Sequence, residues 1–149
     1  MAETKTELRN IEFTDEDISE ITKIISSKDL FSMDDKDRLK PFIVSSKSQD
    51  SNLGILFVKC FDSLLMIYEL LKDDENDFSL KIKEYLDWID KKTEVNELRI
   101  YVQECDTVSG GIGCFHYKGK IQDKVIENRK DYLDFITFFN KIVEMEYWN

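Results

Sequence analysis

The sequence predicts an α+β fold, and three features lead to that reading. Leu53 to Lys72 is a long apolar run with helical recurrence. At Leu98 the period changes from helical to two. From Tyr132 onward helical spacing returns. The chain of 149 residues suits a single domain over 1–149 with a core large enough to need no staples.

Residues 1–12 are polar and read as a loosely ordered arm. The first helix starts at Thr14, which caps, with Asp17 three residues on and acids at Asp15 and Glu16 facing the positive end of the helix dipole. Phe13 and Ile18 sit at the two positions of a hydrophobic staple. Ile18, Ile21, Ile24 and Ile25 form the buried face, which ends near Ser26-Ser27. Ser32 is placed to cap a second, short helix through Asp35, with Pro41 expected to end or kink it.

The central helix, about 53–72, carries Leu53, Phe57, Cys60, Phe61, Leu64, Ile67, Tyr68 and Leu71 at spacings of three and four. Lys59, Asp62 and Glu69 follow a narrow polar stripe, so the run is too charged for a membrane span. A helix apolar around most of its circumference belongs inside a core. Pairing of Pro41–Ser46 with Leu53–Cys60 as strands is the weaker option for the start of this stretch. After an acidic turn at Asp73–Asp77, Phe78, Ile82, Tyr85, Leu86 and Ile89 define the next helix. Trp88 lies at its edge and Leu80 opposite.

A small antiparallel β-meander is expected over about 97–126. Leu98, Ile100 and Val102 alternate with Arg99, Tyr101 and Gln103. Gly113–Tyr117 reads as a second strand, and Lys118-Gly119 as a two-residue hairpin leading to a third strand, Lys120–Ile126. Asn128 or a neighbour then caps a long C-terminal helix through Tyr132, Phe135, Ile136, Phe139, Ile142 and Val143.

Composition narrows the function. There are 31 acidic and 21 basic residues, a net charge of −10. Phosphate backbones and anionic membranes both reward clustered Lys and Arg, so neither nucleic acid nor a membrane is the expected partner. A basic protein is. Cys60, Cys105 and Cys114 have no framework spacing, and the N-terminal residues lack a hydrophobic signal core, which points to the cytoplasm.

No motif specifies a cofactor or a metal. Ser109-Gly-Gly-Ile-Gly113 lacks the rest of a dinucleotide or phosphate-loop fingerprint. Asp73–Asp77 lacks the central Gly and distal Glu of a calcium loop. As strand residues, Cys114 and His116 would share a face, yet one His and no CxxC pair cannot complete a zinc site.

The expected function is therefore a non-enzymatic acidic protein-binding module. It would be an inhibitor or immunity-type protein that neutralises a basic partner such as a toxin or nuclease. The alternatives are an acidic secretion chaperone, for which a homodimer is possible, and a small enzyme using Cys114 and His116. The expected contact residues are Asp34, Asp35, Asp37, Asp73, Asp74, Glu75 and Asp77, with Phe138 and Trp148 as aromatic anchors. Residues 73–97 hold nine acids against four bases, more than helix capping needs.

Overall fold

The computed structural model of the chain describes residues 11–46, 49–72, 77–107 and 112–145, leaving aside the side chains at 106–107 and 112–115. Its described residues form six helices and no strand: α1 (Asp15–Ser27), α2 (Met33–Ser46), α3 (Asp50–Lys72), α4 (Asp77–Thr93), α5 (Val95–Thr107) and α6 (Ile112–Ile142).

The start of α1 follows from its sequence. Thr14 Oγ1 accepts from the Asp17 amide at 3.1 Å, and the Asp17 carboxylate accepts from the Thr14 amide at 3.1 Å. This reciprocal box satisfies two amides that the helix leaves without partners. Ile21 and Ile25 are buried, with Ile18 and Ile24 packed beside them. Asp29 takes a left-handed φ of 51°, and the Leu30 amide reaches back to the Ile25 carbonyl at 3.0 Å, closing the helix.

The second helix is capped by Ser32 as expected, but it does not stop at Pro41. It continues to Ser46. Both Asp37 and Pro41 are exposed, so this turn of the helix lies at the surface, where an internal proline costs less.

Helix α3 is the axis of the fold. It packs chiefly on α6 and α2, and also on α4 and α5. The run Leu53–Val58 is buried at every position, and Cys60, Phe61, Leu64, Ile67 and Leu71 continue the buried face. Side chains on α6 meet it directly. Phe57 stacks on Tyr132 with ring centroids 4.2 Å apart, and Phe135 meets Phe57 at 5.3 Å and Phe61 at 5.9 Å. Three aromatics of the last helix are thus core: Tyr132, Phe135 and Phe139 have no exposed surface.

Among the described residues the β-meander expected over 97–126 is absent, and they form an all-helical rather than an α+β fold. The alternation at 98–102 was too short to decide the period. Val95, Leu98 and Val102 are buried at helical spacing, while Ile100 is 55% exposed. Ile121 and Val125, one turn apart, are buried where a third strand was expected. Gly119 makes no hairpin; it lies exposed within α6. The connection at residue 94 is tight. Glu94 takes a left-handed φ of 54°, ends α4, and its carbonyl accepts the Leu98 amide at 3.2 Å to start α5. Helix α6 changes direction at Asn128, whose φ of −120° and ψ of 21° are not helical. The sequence places a helix start at this residue, and the structure places a kink there.

Gly54 sets the spacing of α3 and α6. A Cβ at this position would lie 2.5 Å from Ile121 Cγ2 and 3.1 Å from Val125 Cγ2. Both neighbours are β-branched and stiff at χ1. Alanine would gain about 1 kcal/mol of helix propensity, against about 1–3 kcal/mol for overpacking. We expect Gly54→Ala to lower stability by about 1 kcal/mol and Gly54→Val by more, because Gly54 is enclosed. Leu64→Ala at the same axis should cost about 2–5 kcal/mol. Urea denaturation measures all three, and a Gly54→Ala midpoint at or above that of the parent would show that the two helices part without cost.

Candidate functional site

The acidic residues expected to form one rim divide in the structure. Asp73, Asp74, Glu75 and Trp148 lie outside the described residues. Asp34 and Asp37 are exposed on α2, whereas Asp35 is half-buried and engaged locally. Its carboxylate accepts from the Ser32 amide at 3.0 Å and the Ser32 hydroxyl at 2.9 Å, while Ser32 Oγ accepts from the Asp35 amide at 3.2 Å. Asp35 is therefore a capping residue first. Asp77 is exposed in the first turn of α4.

From Asp77 an outward stripe runs along α4. Asp77, Leu80, Glu84 and Asp87 recur at spacings of three and four, and all are exposed, Leu80 at 65%. Asp87 is held by Lys83 Nζ at 2.5 Å. Asp77 and Glu84 form no ion pair among the described residues. The first turn of α1 is tied to this helix, because Lys81 Nζ donates to Asp17 Oδ2 at 2.5 Å and lies 5.0 Å over the Phe13 ring. Asp15 and Glu16, both exposed, thereby join the same end of the molecule. The sequence showed the excess of acids in this region. Only the helix register shows that Leu80 stands among them.

Several carboxylates elsewhere hold helices together. Arg99 binds Asp62 at 2.6 Å, joining α5 to α3. Lys124 of α6 binds Glu94 at 2.7 Å and Glu97 at 3.3 Å. Arg129 pairs with Asp50. Glu97 also accepts from the Tyr101 hydroxyl at 2.5 Å. That hydrogen bond, followed by the one from Lys124, holds the Glu97 carboxyl below its ordinary value, and the bond to Glu97 raises the Tyr101 hydroxyl.

Beside α4, on its α6 side, two adjoining cavities of about 310 and 280 Å³ form a groove roofed by Ile11 and Glu12. Its floor is aromatic. Tyr85 stacks on Trp88 at 6.0 Å with an interplanar angle of 18°, and on Phe135 at 5.5 Å. Phe13 closes one end, 4.3 Å from Phe138 and 5.5 Å from Tyr85. Charged groups line the walls. Lys92 Nζ lies 5.5 Å over the Trp88 ring and 3.5 Å from Asp131 Oδ2. Lys130 reaches Asp134 at 2.8 Å. Burial raises the Tyr85 hydroxyl, with Asp134 and Asp131 adding to the effect, so it remains a protonated donor. This groove was not legible beforehand, since its walls come from segments far apart in sequence. Trp88 at a helix edge was the one hint.

Phe138 is only 8% exposed, packed between Phe13 and Tyr85 at centroid distances of 4.3 and 5.3 Å. It lines the smaller cavity but supports the core more than it offers a free anchor. His116 is exposed, 5.5 Å from Tyr117 edge to face. The strand alternation that would align it with Cys114 is absent, and the Cys114 side chain lies outside the described residues. Cys60 is fully buried and in no disulfide, and Cys105 is half-buried. Burial pushes the Cys60 thiol up, which leaves it without nucleophilic character. Among the described residues no three His, Cys, Asp or Glu side chains gather as a metal cluster, and no helix is long and apolar enough to cross a membrane.

Phe138→Ala is expected to cost about 3–5 kcal/mol, as for buried aromatics generally, with the loss read from urea denaturation rather than from binding. The Asp17–Lys81 link makes a pH prediction. The hydrogen bond from Lys81, followed by that from the Thr14 amide, lowers the Asp17 carboxyl below its ordinary 3.8. A carboxylate depressed on folding contributes stability that is complete above its unfolded value and lost as pH falls through the folded one. Asp17→Asn should therefore flatten part of the decline in melting temperature below about pH 4 and leave its slope near neutrality unchanged. An acid limb of unaltered slope would remove Asp17 from the account.

Comparison of the chain with protein families, characterised proteins and solved structures finds no match to any of them, so the functional reading rests on this geometry.

Proposed function

We propose that the chain is a non-enzymatic, acidic protein-binding module that neutralises a basic partner such as a toxin or nuclease. The observation that carries this reading is the α4 stripe. Asp77 and Glu84 flank the exposed Leu80 and have no internal cation, whereas Asp35 is engaged in a cap and Asp62 and Glu94 in inter-helix pairs. Acids kept outward around an apolar residue suit a contact in which charge steers the encounter and a side chain is buried after it. The net charge of −10 supplies the long-range attraction. Cys60, buried and in no disulfide, supports a reducing setting, for which we propose the cytoplasm.

The test is kinetic. Proteins retained by the immobilised chain at low salt and released at high salt are identified. Their association is then followed by stopped flow with the parent and with an Asp77→Lys, Glu84→Lys double variant. The expected result is a strongly basic binder whose association slows about tenfold or more in the variant, with a shallower salt dependence. Leu80→Ala should instead speed dissociation. An association rate indifferent to salt and to charge reversal would remove the steering role.

A further inference from the structure

The groove between α4 and α6 already shows what it takes, because one of the protein's own cations sits in it. Lys92 places its ammonium over the face of Trp88 and against Asp131. The fixed parts of this station are apolar and acidic. Tyr85 is 7% exposed, and the Asp131 side chain is 17% exposed on a helix anchored to the core. The cations around it are the movable parts. The Lys130 side chain is 83% exposed and that of Lys92 is 40% exposed, each on a flexible four-carbon stem. When the two lysines turn outward, what remains is an aromatic floor with the carboxylates of Asp131, Asp134 and Glu12 around it.

We propose that this groove receives an arginine side chain of the basic partner, stacked on Trp88 and hydrogen-bonded to Asp131 and Asp134. The proposal rests on the protein-binding reading given above and names the chemistry of one contact within it. A guanidinium is planar, stacks on aromatic faces and donates two parallel hydrogen bonds to a carboxylate, which an ammonium does not. It also gives up its water more easily, so an incoming arginine displaces Lys92 at a net gain. The volume of about 310 Å³ accommodates one such side chain, with the adjoining 280 Å³ left for the residue beside it.

The experiment uses the full chain carrying Trp148→Phe, so that Trp88 is the sole indole reporter. The probe is a short peptide with two arginines, and the control is the same peptide with citrulline, which has the shape without the charge. Binding is followed by calorimetry and by the Trp88 indole N–H resonance. The arginine peptide is expected to shift that resonance and the citrulline peptide to leave it in place. Asp131→Asn with Asp134→Asn should weaken binding about tenfold or more, while Lys92→Gln, which removes the internal competitor, should tighten it several-fold. Weaker binding in Lys92→Gln, or equal binding of both peptides, would overturn the proposal. Binding that leaves the Trp88 resonance unmoved would discard the groove yet keep the acidic module. No binding of the arginine peptide even at low salt would count against both.

Discussion

The close approach of α3 to α6 at Gly54 is the constraint on which the rest of the structure depends. With no side chain there, Ile121 and Val125 rest against the α3 backbone. That contact sets the separation at which Phe57 stacks on Tyr132 and Phe135 wedges against Phe57 and Phe61. Aromatic pairs of this kind have narrow geometric optima, and a shift of an ångström along the interface would misalign several at once. The other helices take their places from this pair. Helices α2 and α4 pack on α3, α5 packs on both members, and α1 docks on α6, where Ile21 and Ile25 are buried.

What the sequence made legible follows from how much each segment repeats. Thirteen residues of α1 with a cap, a first-turn acid run and four isoleucines leave one interpretation, as do the apolar face of α3 and that of α4. The segment 95–126 did not repeat enough. Three alternating apolar residues match period two, yet Val95, Leu98 and Val102 match a helical face equally well, and Lys118-Gly119 resembled a turn. Tertiary context decides such cases, since burying the Val95 face against α6 and closing α6 around α3 satisfies both segments as helices. Pro41 misled for the opposite reason. A strong local rule was relaxed where Asp37 and Pro41 lie at the surface. Of the candidate site, the acidic excess was visible in composition, but its allocation was not. Asp35 and Asp17 are caps, Asp62 and Glu94 hold arginine and lysine from other helices, and Glu84 stays outward.

That allocation matters for the electrostatics. Ion pairs at the surface contribute little stability each, but they remove cations from the outer field by fixing them between helices. Lys81, Arg99, Lys124 and Arg129 are all used in this way, and the net charge is then felt chiefly through the carboxylates that have no such partner. Under the proposed function, a partner approaching within roughly 8 Å, the screening distance at physiological ionic strength, would meet the α4 stripe as carboxylate around one leucine.

Tyr85 joins the core to the groove. One face of its ring packs with Phe135 inside the bundle, and the ring also stacks with Trp88 at the groove floor. Position 88 is therefore braced by the same aromatic series that α3 and α6 hold in register, and Asp131 and Asp134 project from α6 immediately beyond the Asn128 kink. A recognition surface gains most when its fixed groups need no rearrangement, because the ordering entropy has already been met in folding. Here the aromatic floor and the Asp131 carboxylate belong to that rigid part, while the lysines that shield them do not. The same packing that makes Phe138 unsuitable as an exposed anchor makes Trp88 suitable as a fixed one.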